Sequence, residues 1–217
     1  MDNFDQLFSS TICEQDNNVH KVGIFPGAFK PPHMGHYYTA LNACKNNDLV
    51  YIYVSKKERA LSTQNKSGPT GSKDCDAERY SNFMKSDKYT NNLLSIKPAE
   101  CARMTSASAM RAAIAIKDKN TVFKNLPENV DRDLIYDILM QSNDVSNPNY
   151  GHVTIEQTMS VWGLFQEGLI KESGKTNEQI RIFMSQISPV KDTYDLVDIL
   201  NKDEKAGMTS VNLYVGT

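Results

Sequence analysis

Cysteine is sparse in this chain of 217 residues: Cys13, Cys44, Cys75 and Cys101 stand far apart, with no short spacing between any two. That pattern suggests neither a zinc site nor a disulfide framework, and it fits ordinary thiols in a reducing compartment. An excess of one charge is missing too. The formal net charge is -2, so no broad surface for nucleic acid or another polyanion is implied. Long apolar runs are absent. The longest, such as Leu49 to Val54, fall far short of the roughly 20 residues that span a bilayer. No cluster of aspartates offers a dedicated cation cage, and no internal repeat is visible. Met1 to Asn18 is acidic and polar, without the pattern of a signal peptide. These absences lead to an expectation of a cytoplasmic chain with a tail at 1–18 and one domain at 19–217, in which 141–150 is a linker.

What is present alternates between strand and helix. Lys21–Phe25, Leu49–Val54, Leu93–Ile96, Ile180–Met184 and Val211–Val215 read as buried strands. Tyr37–Cys44, Asp76–Met84, Ala107–Ile116, Arg132–Met140, Thr154–Glu167 and Asp192–Leu200 have helical character. Trp162 stands at helical spacing with Met159, Leu164 and Phe165, which reads as core, although an aromatic can also cover a base. Alternation of this kind predicts an α/β fold with a parallel sheet.

The densest chemistry lies in Gly27-Ala28-Phe29-Lys30-Pro31-Pro32-His33-Met34-Gly35-His36, between the first strand and the first helix. A helix start presents unpaired amides and the positive end of its dipole, so it collects phosphate. Gly27 and Gly35 are expected to let backbone approach a ligand that a Cβ would exclude. Pro31-Pro32 stiffens the approach, and the two imidazoles can donate to phosphate oxygens. Another stretch, Thr105-Ser106-Ala107-Ser108-Ala109-Met110-Arg111, also lies where a strand gives way to a helix. Ser106 or Ser108 can cap that helix, and Arg111 can grip phosphate bidentately.

The first of these stretches resembles the Gly-x-Phe-x-Pro-x-His-x-Gly-His signature of the HxGH nucleotidyltransferase superfamily. The 105–111 stretch is similar to that family's Ile-Ser-Ser-Thr-x-x-Arg, with Thr105 and Ala107 as departures. The resemblance implies a Rossmann-like, doubly wound, parallel five-stranded sheet of the HUP nucleotidyltransferase type. It also implies transfer of a nucleotidyl group from an NTP to a small phosphorylated acceptor, with release of pyrophosphate. ATP is slightly preferred over CTP, Mg²⁺ arrives with the NTP, and neither nucleic acid nor membrane is a partner. His33, His36, Lys30 and Arg111 are the implied catalytic residues. Gly27, Phe29, Gly35, Ser106, Ser108 and Arg111 would bind nucleotide. Ser55, Lys56, Arg59 and Arg79 would meet the acceptor or its phosphate, although a solvated charge run explains Lys56 and Arg59 equally well.

The family's other signatures are present in an altered order. In phage-type members, Thr-x-Glu-Gln, Ser-Pro and Val-Gly segments stand in mid-chain, before Asp-x-x-Arg-Tyr and Phe-x-x-Leu-Pro. Here Thr154-Ile155-Glu156-Gln157, Ser188-Pro189 and Val215-Gly216 follow Asp76-Ala77-Glu78-Arg79-Tyr80 and Phe123-x-x-Leu126-Pro127. Two alternatives stay open. Residues 151–217 are a transposed middle, in which case the strands should run 180–184, 49–54, 21–25, 211–215, 93–97 across the sheet. Otherwise that part of the resemblance is accidental and the strands follow sequence order. Function has another reading as well: a catalytically inactive nucleotide-binding sensor or a virion-associated protein on the same fold. If the chain is viral, its compartment is the host cytoplasm.

Overall fold

A computed structural model describes residues 21–55, 94–98, 107–141, 153–185 and 210–215. The expected helices at 76–84 and 192–200, the tail at 1–18 and nearly all of the linker at 141–150 lie outside the described residues. So do Ser188, Pro189 and Gly216.

The described chain runs β1 (Lys21–Gly27), α1 (Met34–Asn46), β2 (Leu49–Ser55), β3 (Leu94–Pro98), α2 (Ala107–Ala115), α3 (Lys119–Lys124), α4 (Arg132–Met140), α5 (Ile155–Ser173), β4 (Ile180–Ser185) and β5 (Ser210–Val215). This is an α/β fold with a parallel sheet. Its spatial order is β3-β5-β1-β2-β4, the order that transposition of 151–217 requires and that sequence order does not give. Every pairing is parallel: Gly27 aligns with Val54, Ser55 with Ser185, Ile24 with Leu213, and Pro98 with Val215. All carboxyl ends therefore lie on one edge.

Both faces of the sheet are apolar, as expected of parallel strands. Phe25, Val50, Ile52, Val54, Ile180 and Tyr214 belong to one core with α1 and α5. Val22, Ile24, Tyr51, Tyr53, Val211 and Leu213 alternate with them and are buried as well. Tyr51 and Tyr53 flank Phe183 of β4, with ring centroids 5.7 and 5.5 Å away.

Local chemistry explains where the helices differ from expectation. Helix α1 starts at Met34 rather than Tyr37, because His33 is extended at the N-cap (φ -146, ψ 174). The Met-Gly-His of the motif is thus its first turn. Thr154 accepts from the Gln157 N–H and Gln157 reaches back to the Thr154 N–H, so Thr-x-Glu-Gln is physically a capping box. Helix α5 continues past the expected end at Glu167 to Ser173 and stops at Gly174, which takes the left-handed conformation (φ 72). Gly168 does not break it. A Cβ there would stand 2.9 Å from Tyr37 Oη, so this glycine lets α1 and α5 approach. Helix α3 was not anticipated; Asp118 caps it by accepting from the Thr121 N–H at 3.1 Å.

A buried polar cluster fixes β5. Asn47, at the end of α1, donates to Ala43 O at 2.8 Å and to Tyr214 Oη at 2.9 Å. Its Oδ1 accepts from Asn212 Nδ2 at 2.7 Å. Gly23 must lack a side chain, since a Cβ would fall 2.9 Å from Asn47 Nδ2. Asn47→Ala would remove the hydrogen bonds to Ala43, Tyr214 and Asn212. At roughly 1 kcal/mol net per bond, the expected loss is about 3 kcal/mol, read as a lower urea midpoint at unchanged m-value.

Candidate functional site

The site begins where β1 ends. Phe29 adopts a positive φ of 47°, a left-handed conformation uncommon outside glycine. Its ring folds back over Gly27 and packs on Phe25 (4.9 Å), Trp162 (5.0 Å) and His36 (4.9 Å). A Cβ at Gly27 would meet that ring at 2.5 Å, and one at Gly35 would meet the His33 imidazole at 3.1 Å. The space these glycines leave is occupied by the site's own rings, where a ligand was expected. Phe29 itself is buried. Trp162 is fully buried behind it, as its helical spacing predicts.

His33 and His36 lie face to face, their rings 3.7 Å apart and 25° from parallel. The His33 backbone N–H donates to His36 Nδ1 at 3.2 Å. An Nδ1 that accepts leaves the hydrogen on Nε2, so His36 is set as a donor through Nε2. His33 Nδ1 is buried without a full hydrogen bond among the described residues, but the His33 side chain faces the His36 N–H as the other half of a capping box. Burial lowers the His33 pKa from 6.5 to about 4. Burial, and secondly the facing His33, hold His36 well below the usual value. Both rings are therefore neutral at pH 7.

The first turn of α1 is only partly free. The Met34 N–H donates to Asn125 O at 2.8 Å and the Tyr37 N–H to His33 O at 3.1 Å. The His36 N–H instead faces the His33 side chain, the other half of a capping box with the His33 N–H to His36 Nδ1 bond. Asn125 lies within Phe123-x-x-Leu126-Pro127, so that segment buttresses the helix start. Tyr37 ties α1 to α5: its hydroxyl donates to Glu172 Oε1 at 2.9 Å and accepts from Asn129 Nδ2 at 2.5 Å. Asn129 also donates to Glu172.

Arg111 joins the two sequence motifs. Its Nη1 donates to the carbonyl of Lys30 at 2.7 Å, across 81 residues. Its Nη2 donates to Ser108 Oγ at 3.1 Å. The structure thus brings Gly27, Phe29, Lys30, His33, Gly35, His36, Ser108 and Arg111 to the carboxyl edge of the sheet. Ser55 ends β2 on the same edge, in register with Ser185. Ser106, Lys56, Arg59 and Arg79 lie outside the described residues.

Sequence reasoning missed Asn125 and Asn129. Asn125 fills an unspecified position of Phe123-x-x-Leu126-Pro127 and Asn129 lies in no motif; each acts through a contact distant in sequence. Among the described residues, no three His, Cys, Asp or Glu side chains group to hold a metal ion. No described helix is long and apolar enough to cross a membrane. No protein-family model matches this chain, and no curated protein matches it.

The depressed His33 pKa makes stability depend on pH. Between about 4 and 6.5 the unfolded chain binds more protons than the folded one, so stability rises with pH there. The His33 contribution is complete above pH 6.5 and is lost as pH falls toward 4. At 1.36 kcal/mol per unit, the loss by pH 5 is about 2 kcal/mol. Urea unfolding at pH 7, 6 and 5 should show this decline, and His33→Gln should lessen it, leaving the part that the likewise depressed His36 contributes.

Proposed function

We propose that this chain is a nucleotidyltransferase: it transfers a nucleotidyl group from an NTP, ATP in preference to CTP, to a small phosphorylated acceptor and releases pyrophosphate. The carrying observation is the Arg111–Lys30 bond, which joins at one sheet edge two motifs recognised separately in the sequence. In parallel α/β sheets, ligands bind outside the carboxyl ends of the strands. The strand order β3-β5-β1-β2-β4 supports the further reading that the fold is of the HUP nucleotidyltransferase type, with residues 151–217 moved to the end.

The chemistry is attack by an acceptor phosphate oxygen on the α-phosphorus, with breakage of the bond to the bridging oxygen of pyrophosphate. A phosphomonoester is already anionic near neutral pH, so no strong base is needed. Positioning and stabilisation of charge carry the rate. His36, fixed as an Nε2–H donor, and the Gly35 amide would face the phosphate chain at the start of α1. His33 covers the same helix start. Arg111 spends part of its fork on Lys30 and Ser108, which orients the guanidinium toward departing phosphates. Lys30 adds charge on the same loop. Mg²⁺ enters as part of the substrate, held by phosphate oxygens and water.

Pyrophosphate release should be measured with each NTP against a panel of phosphomonoesters. His33→Ala and His36→Ala should each lower turnover by roughly a hundredfold or more while circular dichroism stays native. Arg111→Lys should weaken NTP binding despite the retained charge, because lysine lacks the planar fork. A verified substrate turned over normally by both histidine variants overturns the site assignment. Binding of nucleotide with no turnover on any acceptor supports a sensor instead.

A further inference from the structure

We propose that Phe29 is a positioning residue: its ring fixes the plane of the His36 imidazole, which makes the His36 Nε2–H a donor of fixed direction. The effect on turnover rests on the reading of that helix start as a nucleotidyl-transfer site.

The hydrogen bonds at the start of α1 do not fix that plane by themselves. In the capping box each imidazole meets a backbone N–H at one corner. The His33 N–H reaches His36 Nδ1 at 3.2 Å. The outer torsion of a histidine is broad, and one long bond at one corner tolerates a wide range of it. The His33 ring stacked at 3.7 Å can turn together with its neighbour. Phe29 supplies the contact that does not yield. Its ring stands 77° to the imidazole with centroids 4.9 Å apart, the edge-to-face arrangement that aromatic pairs favour.

Phe29 cannot follow the histidine, because it is itself clamped. Phe25 lies 4.9 Å and Trp162 5.0 Å from its ring. The ring also fills the place where a Gly27 Cβ would stand. Trp162 is packed in turn by Phe165 at 5.6 Å. A rigid series of rings thus runs from the core of α5 through Phe29 to His36. Core filling alone does not explain the residue. It does not require a φ of 47°, where a bulky side chain is strained. That left-handed turn is what brings the ring back over Gly27 and against His36. The phenyl ring carries no polar atom, so its influence on the chemistry passes through the imidazole.

The test uses the full chain with ¹⁵N-labelled histidine, read by NMR at pH 7 without ligand, with His36→Gln to assign the ring. Phe29→Leu keeps an apolar side chain but removes the flat ring. Phe165→Leu is the control, since it removes a core ring that packs on Trp162 and Tyr37. Wild type and Phe165→Leu should show the shifts of one Nε2–H tautomer at His36. In Phe29→Leu those shifts should move toward the average of both tautomers. With Mg-ATP and a phosphomonoester that the wild type turns over, Phe29→Leu should lower kcat by roughly ten- to a hundredfold. The KM for Mg-ATP should stay within about twofold, as for an interaction made only in the transition state. If Phe29→Leu leaves the His36 shifts as in wild type, or Phe165→Leu disturbs them equally, Phe29 is core packing and the inference is wrong. Phe29→Met, a flexible filler, takes the place of Phe29→Leu if that variant does not fold. Averaged tautomers at His36 in the wild type overturn the inference without any variant. If the shifts respond as expected but no chain releases pyrophosphate with any acceptor, nucleotidyl transfer falls and the positioning of His36 by Phe29 stands.

Discussion

The insertion of β5 between β1 and β3 is the constraint on which the rest depends. Among the described strands, β3 pairs with β5 and with no other, and α2 follows β3. Without β5, no described strand would link α2 to β1 at the distance that lets Arg111 reach the Lys30 carbonyl. The slot is specified by more than hydrophobicity. Val211 and Leu213 fill one face, while Asn212 and Tyr214 present polar groups to Asn47. A one-residue slip would exchange the faces of the strand, burying the asparagine away from its partner and driving apolar side chains against an amide. The buried hydrogen bonds thus set the register of the strand, and the strand sets the site.

The candidate site is assembled mostly from rings that exclude water. Phe29 wedges between β1, α5 and His36, and Gly27 exists to admit it. The histidines are consequently desolvated and neutral, and under the proposed function they would meet phosphate as oriented dipoles. Fixed donors in a dry site favour developing negative charge more than the same groups would in water, because they need no reorganisation. Orientation is supplied at every level: the His33 amide holds His36, Asn125 O holds Met34, and the Lys30 carbonyl holds Arg111. Tyr37, with Glu172 and Asn129, anchors the helix that carries both histidines to α5.

The polar devices around this site are long-range, and that governs what could be read in advance. Element type was legible, since hydrophobic period depends on nearest neighbours along the chain. The bounds of α4 and the existence of all five strands follow from that period alone. The start of α1 was misplaced by a turn because the capping residue is a histidine, outside the usual Ser, Thr, Asp and Asn. Helix α5 runs past Glu167 through Gly168 to Ser173, and Tyr37 packing on that glycine shows why it is tolerated there.

By itself, the sequence determined the α/β class and the two motifs at strand-to-helix junctions, and it narrowed the strand order to two alternatives, between which the sheet decided. Those features are local or combinatorial, so they survive without coordinates. Only the tertiary structure decided what the glycines make room for, that a backbone amide faces each imidazole, and that Arg111 spends part of its fork on a carbonyl 81 residues away. Each of these is a contact between side chains or backbone groups placed by the fold, and its geometry is set by the packing of the whole sheet. A string of residue types carries the capacity for such contacts but not the distances that realise them.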